Sequence, residues 1–109
     1  MKQAIEHYEN RAGGKGSIHI ERLLNEQECG EHIKMYARVV VDVNSSIGYH
    51  KHVDDGEAYY ILSGKALYTQ DDVTSELKPY DIVYCPKNSS HSIENISDEP
   101  LVFMALINK

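Results

Sequence analysis

Apolar and polar residues alternate along most of this chain, and turn-forming residues interrupt the alternation at short intervals. Ser17 to Leu24, "SIHIERLL", puts Ile18 and Ile20 on one face and His19 and Glu21 on the other. That is the two-residue period of a half-buried strand. Ile33 to Val43, "IKMYARVVVDV", is longer and rich in β-branched residues. Met35, Ala37, Val39, Val41 and Val43 share one face; Lys34, Tyr36, Arg38, Val40 and Asp42 share the other. Between these two runs "NEQECGEH" is polar and reads as a loop or a turn of helix. Downstream, "YHKHV", "EAYYILS", "KALYTQ", "VTSELKP", "YDIVYCP", "HSIENIS" and "LVFMALIN" all read as strands. Asp54-Asp55-Gly56, Gly64, Asp71-Asp72, Pro79 and Pro86 punctuate them. The pattern predicts about eight or nine short strands and no long helix, which is an all-β barrel or sandwich.

A length of 109 residues fits one domain. Residues 1–16 are polar and end in "GGKG", so they are expected to form a flexible N-terminal arm ahead of a barrel domain over 17–109. There are 17 acidic and 11 basic residues, and no basic run. Nucleic acid is therefore not an expected partner, because phosphate binding needs clustered Lys and Arg. No apolar run is long enough for a membrane span, and the N-terminus lacks a signal-peptide core. The expected location is cytoplasmic, with no membrane partner. Cys29 and Cys85 are expected to be reduced thiols, with Cys85 in the core.

The chemistry concentrates in "GYHKHVDDGEAYYILSG", Gly48 to Gly64. His50 and His52 are two residues apart in a strand, so they project together. Glu57 follows the Asp54-Asp55-Gly56 turn, and a hairpin of that length is expected to bring it alongside His52. Two imidazoles and a carboxylate on an apolar face are costly unless something satisfies them. A divalent metal does so, and this donor set suits Fe, Mn, Ni, Cu or Zn. His91, which follows a loop and opens a strand, is the best-placed further donor. His7 and His32 have weaker context, and His19 is expected to face solvent. The paired aspartates read as solvated turns.

These residues resemble the two motifs of the cupin superfamily. The first, G(X)5HXH(X)3-4E(X)6G, matches from Asn44 to Gly64 through His50, His52 and Glu57. The second, G(X)5PXG(X)2H(X)3N, matches from Tyr80 to Asn95 through Pro86 and His91. Asn44, Tyr80 and Asn88 stand where the family has glycine. Asparagine tolerates positive φ best after glycine, and at Tyr80 a changed turn type is expected. The resemblance implies a double-stranded β-helix, or jelly-roll barrel, with His50, His52, Glu57 and His91 as metal ligands. It is similar to the small single-domain cupins, which implies a homodimer built through an edge strand and the N-terminal arm.

The function implied is a metal-dependent enzyme on a small organic substrate, with dioxygenase-, isomerase- or lyase-type chemistry. The alternative is a non-catalytic binding module that anchors a sugar or small acid on the metal; a purely structural metal is a third reading. Tyr59, on the face of Glu57, and Tyr84 or Met35, on facing strands, are the candidate pocket residues, with a tyrosine hydroxyl available for proton transfer.

Overall fold

The computed structural model describes residues 4–109, and its regular structure is dominated by antiparallel strands. They are β1 (Glu6–Glu9), β2 (Ser17–Arg22), β3 (Ile33–Val41), β4 (Ser46–Lys51), β5 (Gly56–Ser63), β6 (Ala66–Gln70), β7 (Val73–Leu77), β8 (Ile82–Cys85), β9 (Ser90–Asn95) and β10 (Leu101–Asn108). One helical turn, α1 (Glu26–Cys29), lies between β2 and β3 and is closed by an Asn25–Glu28 capping box. Six strands form one sheet in the order β1-β2-β3-β10-β5-β8, and four form the other in the order β4-β9-β6-β7. The two sheets face each other as a jelly-roll barrel, the double-stranded β-helix expected from the motifs. Among the described residues no helix is long and apolar enough to cross a membrane.

The inward face of each strand is the one the alternation predicts. Met35, Ala37, Val39 and Val41 of β3 are buried, as are Tyr59 and Ile61 of β5 and Phe103 and Ala105 of β10. Ile18, Ile47, Tyr68 and Ile93 meet them from the other strands. Cys85 is buried too, and burial raises its thiol to about 11. Val43 does not join this face: β3 ends at Val41 and Val43 is exposed. The chain turns there because Asn44 takes the left-handed conformation, with φ 61°.

Three other expectations need correction. The N-terminal lead-in is not free along its length. Glu6 to Glu9 pair with Ser17 to Ile20, with Tyr8 packed against the core, and a 3-10 turn over Arg11–Gly13 follows. β4 and β5 do not form a hairpin. The Asp54-Asp55-Gly56 segment instead carries the chain from one sheet to the other, and β4 pairs with β9. Finally, Tyr80 keeps the turn geometry of the glycine it replaces, with φ 77°. Asn88 at φ 72° and Gly64 at φ 86° complete the set, so all four of these motif turns are left-handed.

Asn95 locks one of these junctions. Its buried amide donates to the carbonyls of Val41, Asp42 and Glu99, and its oxygen accepts from the Ser97 backbone N–H and hydroxyl. Every polar atom of that side chain is thereby satisfied in the interior. Tyr80 is the contrasting case, because it is 76% exposed and bears an unfavourable φ, with its backbone N–H bonded to the Ile61 carbonyl at 2.8 Å. Left-handed geometry costs an ordinary L-residue about 1–2 kcal/mol, part of which glycine loses again through unfolded-state entropy. Tyr80→Gly is therefore expected to stabilise the protein by about 0.5–1 kcal/mol, read as a higher urea midpoint at unchanged slope; a lower midpoint contradicts the strain assigned here.

Candidate metal centre

His50 faces into the barrel because β4 contains a bulge. Ile47 pairs with Ile93, but the next pair is His50 with His91, so three residues on β4 span two on β9. A bulge of this kind reverses the alternation downstream. Ile47 is buried, Tyr49 is exposed, and His50 and His52 then point inward. Gly48 sits in the bulge because the 3-10 turn presses on it. A Cβ at Gly48 would lie 2.0 Å from the Ala12 carbonyl oxygen, and one at Gly14 would lie 2.4 Å from that of Ser46. The N-terminal segment thus helps to set the histidines.

The donors come from both sheets. His50 (β4) and His91 (β9) are cross-strand partners in the smaller sheet, and His52 lies just past the end of β4. Glu57 enters from β5 of the larger sheet. His91, His52 and Glu57 are buried, and His50 is partly buried. Their donor atoms lie close together. His52 Nε2 is 3.0 Å from His91 Nε2, and His91 Nε2 is 3.1 Å from His50 Nε2. Glu57 Oε1 is 3.1 Å from Nε2 of both His52 and His91.

The protonation of the three rings follows from their other nitrogens. His50 Nδ1 is 2.7 Å from the Gly48 carbonyl, and His52 Nδ1 is 2.7 Å from Asp55 Oδ1. Both partners only accept, so each Nδ1 carries the proton and donates. His91 Nδ1 is 3.0 Å from the Tyr68 hydroxyl, whose own proton goes to Gln70 Oε1 at 2.6 Å. The phenol oxygen therefore accepts from His91. With every Nδ1 spoken for, three Nε2 lone pairs and a carboxylate oxygen face one point.

Such a point demands a cation, either a proton or a metal. The Glu57 hydrogen bond raises the His52 pKa against the opposing effect of burial, and Asp55 adds to the rise. Burial alone would raise the Glu57 carboxyl, but hydrogen bonds from His52 and His91 outweigh it and bring it to about 2. Burial lowers His50, despite its bond to Gly48. A single proton on one ring cannot satisfy all four donors. A transition metal about 2.0–2.2 Å from each can, since cis donors at that range stand roughly 3 Å apart. The four-residue group fits a metal ion in spacing, burial and donor chemistry.

Asp55 and Tyr68 were not legible as part of this site. Asp55 is no solvated turn residue. Its side chain is 10% exposed, and it holds His52 Nδ1 through one oxygen and Lys34 Nζ, at 3.0 Å, through the other. Tyr59 lies where its alternation predicts, beneath the donors. It stacks on His91 with ring centroids 4.9 Å apart and planes 14° apart, and it borders the cleft. Burial, and then the Glu57 charge, hold its phenol protonated far above the ordinary range. Met35 lines the cleft as well. Tyr84 does not. It is exposed on the outer face of β8, where its hydroxyl donates to Asn108 Oδ1. The reason is register: Tyr84 pairs with outward Ala58, while Cys85 pairs with inward Glu57.

His7, His19 and His32 lie away from the four donors. His19 is half-buried, with Nε2 2.9 Å from Asp42 Oδ2 and Nδ1 2.5 Å from His7 Nδ1.

The family model described as a cupin domain matches residues 37–107. The chain belongs to the cupin family. It is 33% identical over 102 residues, covering 94% of this chain and 84% of the relative, to an oxalate-binding protein from Thermotoga maritima. A solved structure from the same organism, described as a predicted oxalate decarboxylase, superposes with a TM-score of 0.93 at 32% identity, covering 96% of this chain and 91% of that one. A glucose-6-phosphate isomerase from Thermococcus litoralis is 36% identical over 63 residues, which is 53% of this cupin but only 33% of the isomerase.

The outer hydrogen bonds of metal-binding histidines commonly contribute 10- to 100-fold in affinity. Asp55→Ala is expected to weaken metal binding by about that factor in a chelator competition, with the circular dichroism spectrum unchanged. Asp55→Asn keeps an acceptor oxygen and is expected to lose less. Wild-type affinity in Asp55→Ala would show that the aspartate does not position His52.

Proposed function

We propose that this cupin holds one divalent transition metal on His50, His52, Glu57 and His91 and acts on a small organic acid bound at that metal. The observation that carries the reading is the convergence of His50 Nε2, His52 Nε2 and Glu57 Oε1, each 3.0–3.1 Å from His91 Nε2, with every Nδ1 already donating. The bound metal would supply a Lewis acid that polarises carboxylate or carbonyl oxygens.

The protein's own residues supply the rest. A cleft reaches His50, His52, Glu57 and Tyr59, so a ligand approaching through it meets the donor group from that side. Arg11, Arg22, Lys34 and Lys51 border the cleft, against three carboxylates, Asp54, Asp55 and Glu57. Arg22 is itself paired with Glu6, so four cations meet four carboxylates there and the excess positive charge would come from the metal. The field favours an anion over a neutral sugar. Tyr59 stays neutral and steadies His91 by stacking rather than serving as a base.

The similarity to a protein described as a predicted oxalate decarboxylase supports lyase-type turnover among the expected chemistries. The similarity to one named for oxalate binding supports the second reading, a non-catalytic metal-anchored binder. Both point to oxalate as the first probe. The homodimer expected from the resemblance has a candidate surface beside the free edge of β8, where Tyr60, Ile82 and Tyr84 are exposed.

Oxalate is expected to raise the melting temperature of metal-loaded protein and to leave chelator-stripped protein unmoved. At a hundredfold excess over Kd the stabilisation is about 2.7 kcal/mol. Equal shifts in both samples would contradict a metal-anchored ligand. Recovery of the dianion unchanged after long incubation selects the binding module, and its loss selects the enzyme.

For the surface, Ile82→Lys with Tyr84→Lys is expected to reduce the mass measured by light scattering to that of one chain. A mass unaffected by the pair would place the contact elsewhere.

A further inference from the structure

The cleft beside the donors is larger and more apolar than a two-carbon dianion needs. Its volume is about 700 Å³, a size typical of sites that enclose a whole small molecule. At about 30 Å³ per water, it holds on the order of twenty waters. Oxalate, with six heavy atoms, would displace only a few of them.

The strand register shows which rows meet the cleft. Three cross-strand rows run over the inner face of the larger sheet, away from the donors. Glu57, Ile107 and Met35 form one row. Tyr59, Ala105, Ala37 and Arg22 form the next, and Ile61, Phe103, Val39 and Ile20 the third. The middle row has only two alanines between Tyr59 and Arg22. Ile107, Met35, Phe103, Val39 and Ile20 of the flanking rows border the cleft, while the two alanines are fully buried. The cleft extends over three strand spacings, roughly 14 Å at about 4.8 Å each.

The guanidinium at the far end of the middle row, that of Arg22, already has a carboxylate partner. Arg22 Nε lies 2.6 Å from Glu6 Oε2 and Arg22 Nη2 lies 3.4 Å from Glu6 Oε1. That hydrogen-bonded pair lowers the Glu6 pKa and raises that of Arg22, so both stay charged and neutralise each other. A second carboxylate arriving there would compete with Glu6.

We propose that the ligand of this cleft is a metal-chelating monocarboxylate, a 2-oxo or 2-hydroxy acid, that carries an apolar body of about four to six carbons. The proposal rests on the metal reading above: the polar head sits at the four donors, and the body lies along the apolar rows. Oxalate would then be the minimal head group, bound without the contacts the cleft is built to make. Burying each methylene contributes about fourfold in affinity.

Calorimetric titration of the Mn(II)- or Zn(II)-loaded protein tests this with oxalate, pyruvate, 2-oxohexanoate and 2-oxoadipate, against chelator-stripped controls. The expected order puts 2-oxohexanoate on the order of fifty-fold tighter than pyruvate, with 2-oxoadipate weaker than 2-oxohexanoate. Val39→Trp, which fills the cleft, is expected to erase the advantage of 2-oxohexanoate and to keep oxalate binding; the wild-type series stands if that variant does not fold. Metal-dependent oxalate binding together with a flat or falling series from pyruvate to 2-oxohexanoate overturns the inference alone. So does tighter binding of 2-oxoadipate. If no acid, oxalate included, binds in a metal-dependent way, the reading beneath it falls too.

Discussion

Three imidazole nitrogens that have no proton of their own converge on one carboxylate oxygen inside the barrel, and the rest of the structure is arranged so that they can. Lone pairs 3.0–3.1 Å apart repel unless a cation lies between them. The repulsion is enforced by the partners behind each ring. The Gly48 carbonyl, the Asp55 carboxylate and the Tyr68 hydroxyl each hold an Nδ1–H and so turn the opposite nitrogen inward. A proton at His52, whose pKa the Glu57 hydrogen bond raises, would meet the demand only in part, and a metal would meet it in full.

That convergence depends on two sheets meeting at a defined register. His50 and His91 face each other across one sheet, and Glu57 arrives from the other through the Asp54-Asp55-Gly56 crossover. The crossover supplies Asp55 as it passes, so the connection between the sheets also anchors a candidate ligand. The bulge at Gly48 turns His50 inward, and the bulge is held by the N-terminal turn packed against it. A segment that pairs at the sheet edge, caps β4 and lends Arg11 to the cleft is thus joined to the site at several points.

Much of this was legible in the chain itself. Period-two alternation and turn residues every few positions define the strands, and the spacing of His50, His52, Glu57 and His91 defines the donor set, because both are local properties. What escaped is non-local. Strict alternation cannot show a bulge, although Gly48 two residues before His50 was a signal for one. Nothing in Asp54-Asp55-Gly56 distinguishes a hairpin from a crossover, so Asp55 read as a solvated turn. Tyr84 read as pocket-facing because four consecutive apolar or aromatic residues in β8 carry no alternation to orient them. Only pairing with β5 decides that Cys85 points in and Tyr84 out. At Tyr80 the residue type argued for a new turn, yet the surrounding fold imposed the left-handed one.

Anomalous diffraction from crystals of the metal-loaded protein, collected on either side of the metal edge, tests the central claim most directly. The account predicts one peak, about 2.0–2.2 Å from Nε2 of His50, His52 and His91 and from a Glu57 carboxylate oxygen, with all three Nδ1 hydrogen bonds retained. A map without a peak among these four side chains, or with the metal held elsewhere, would contradict it.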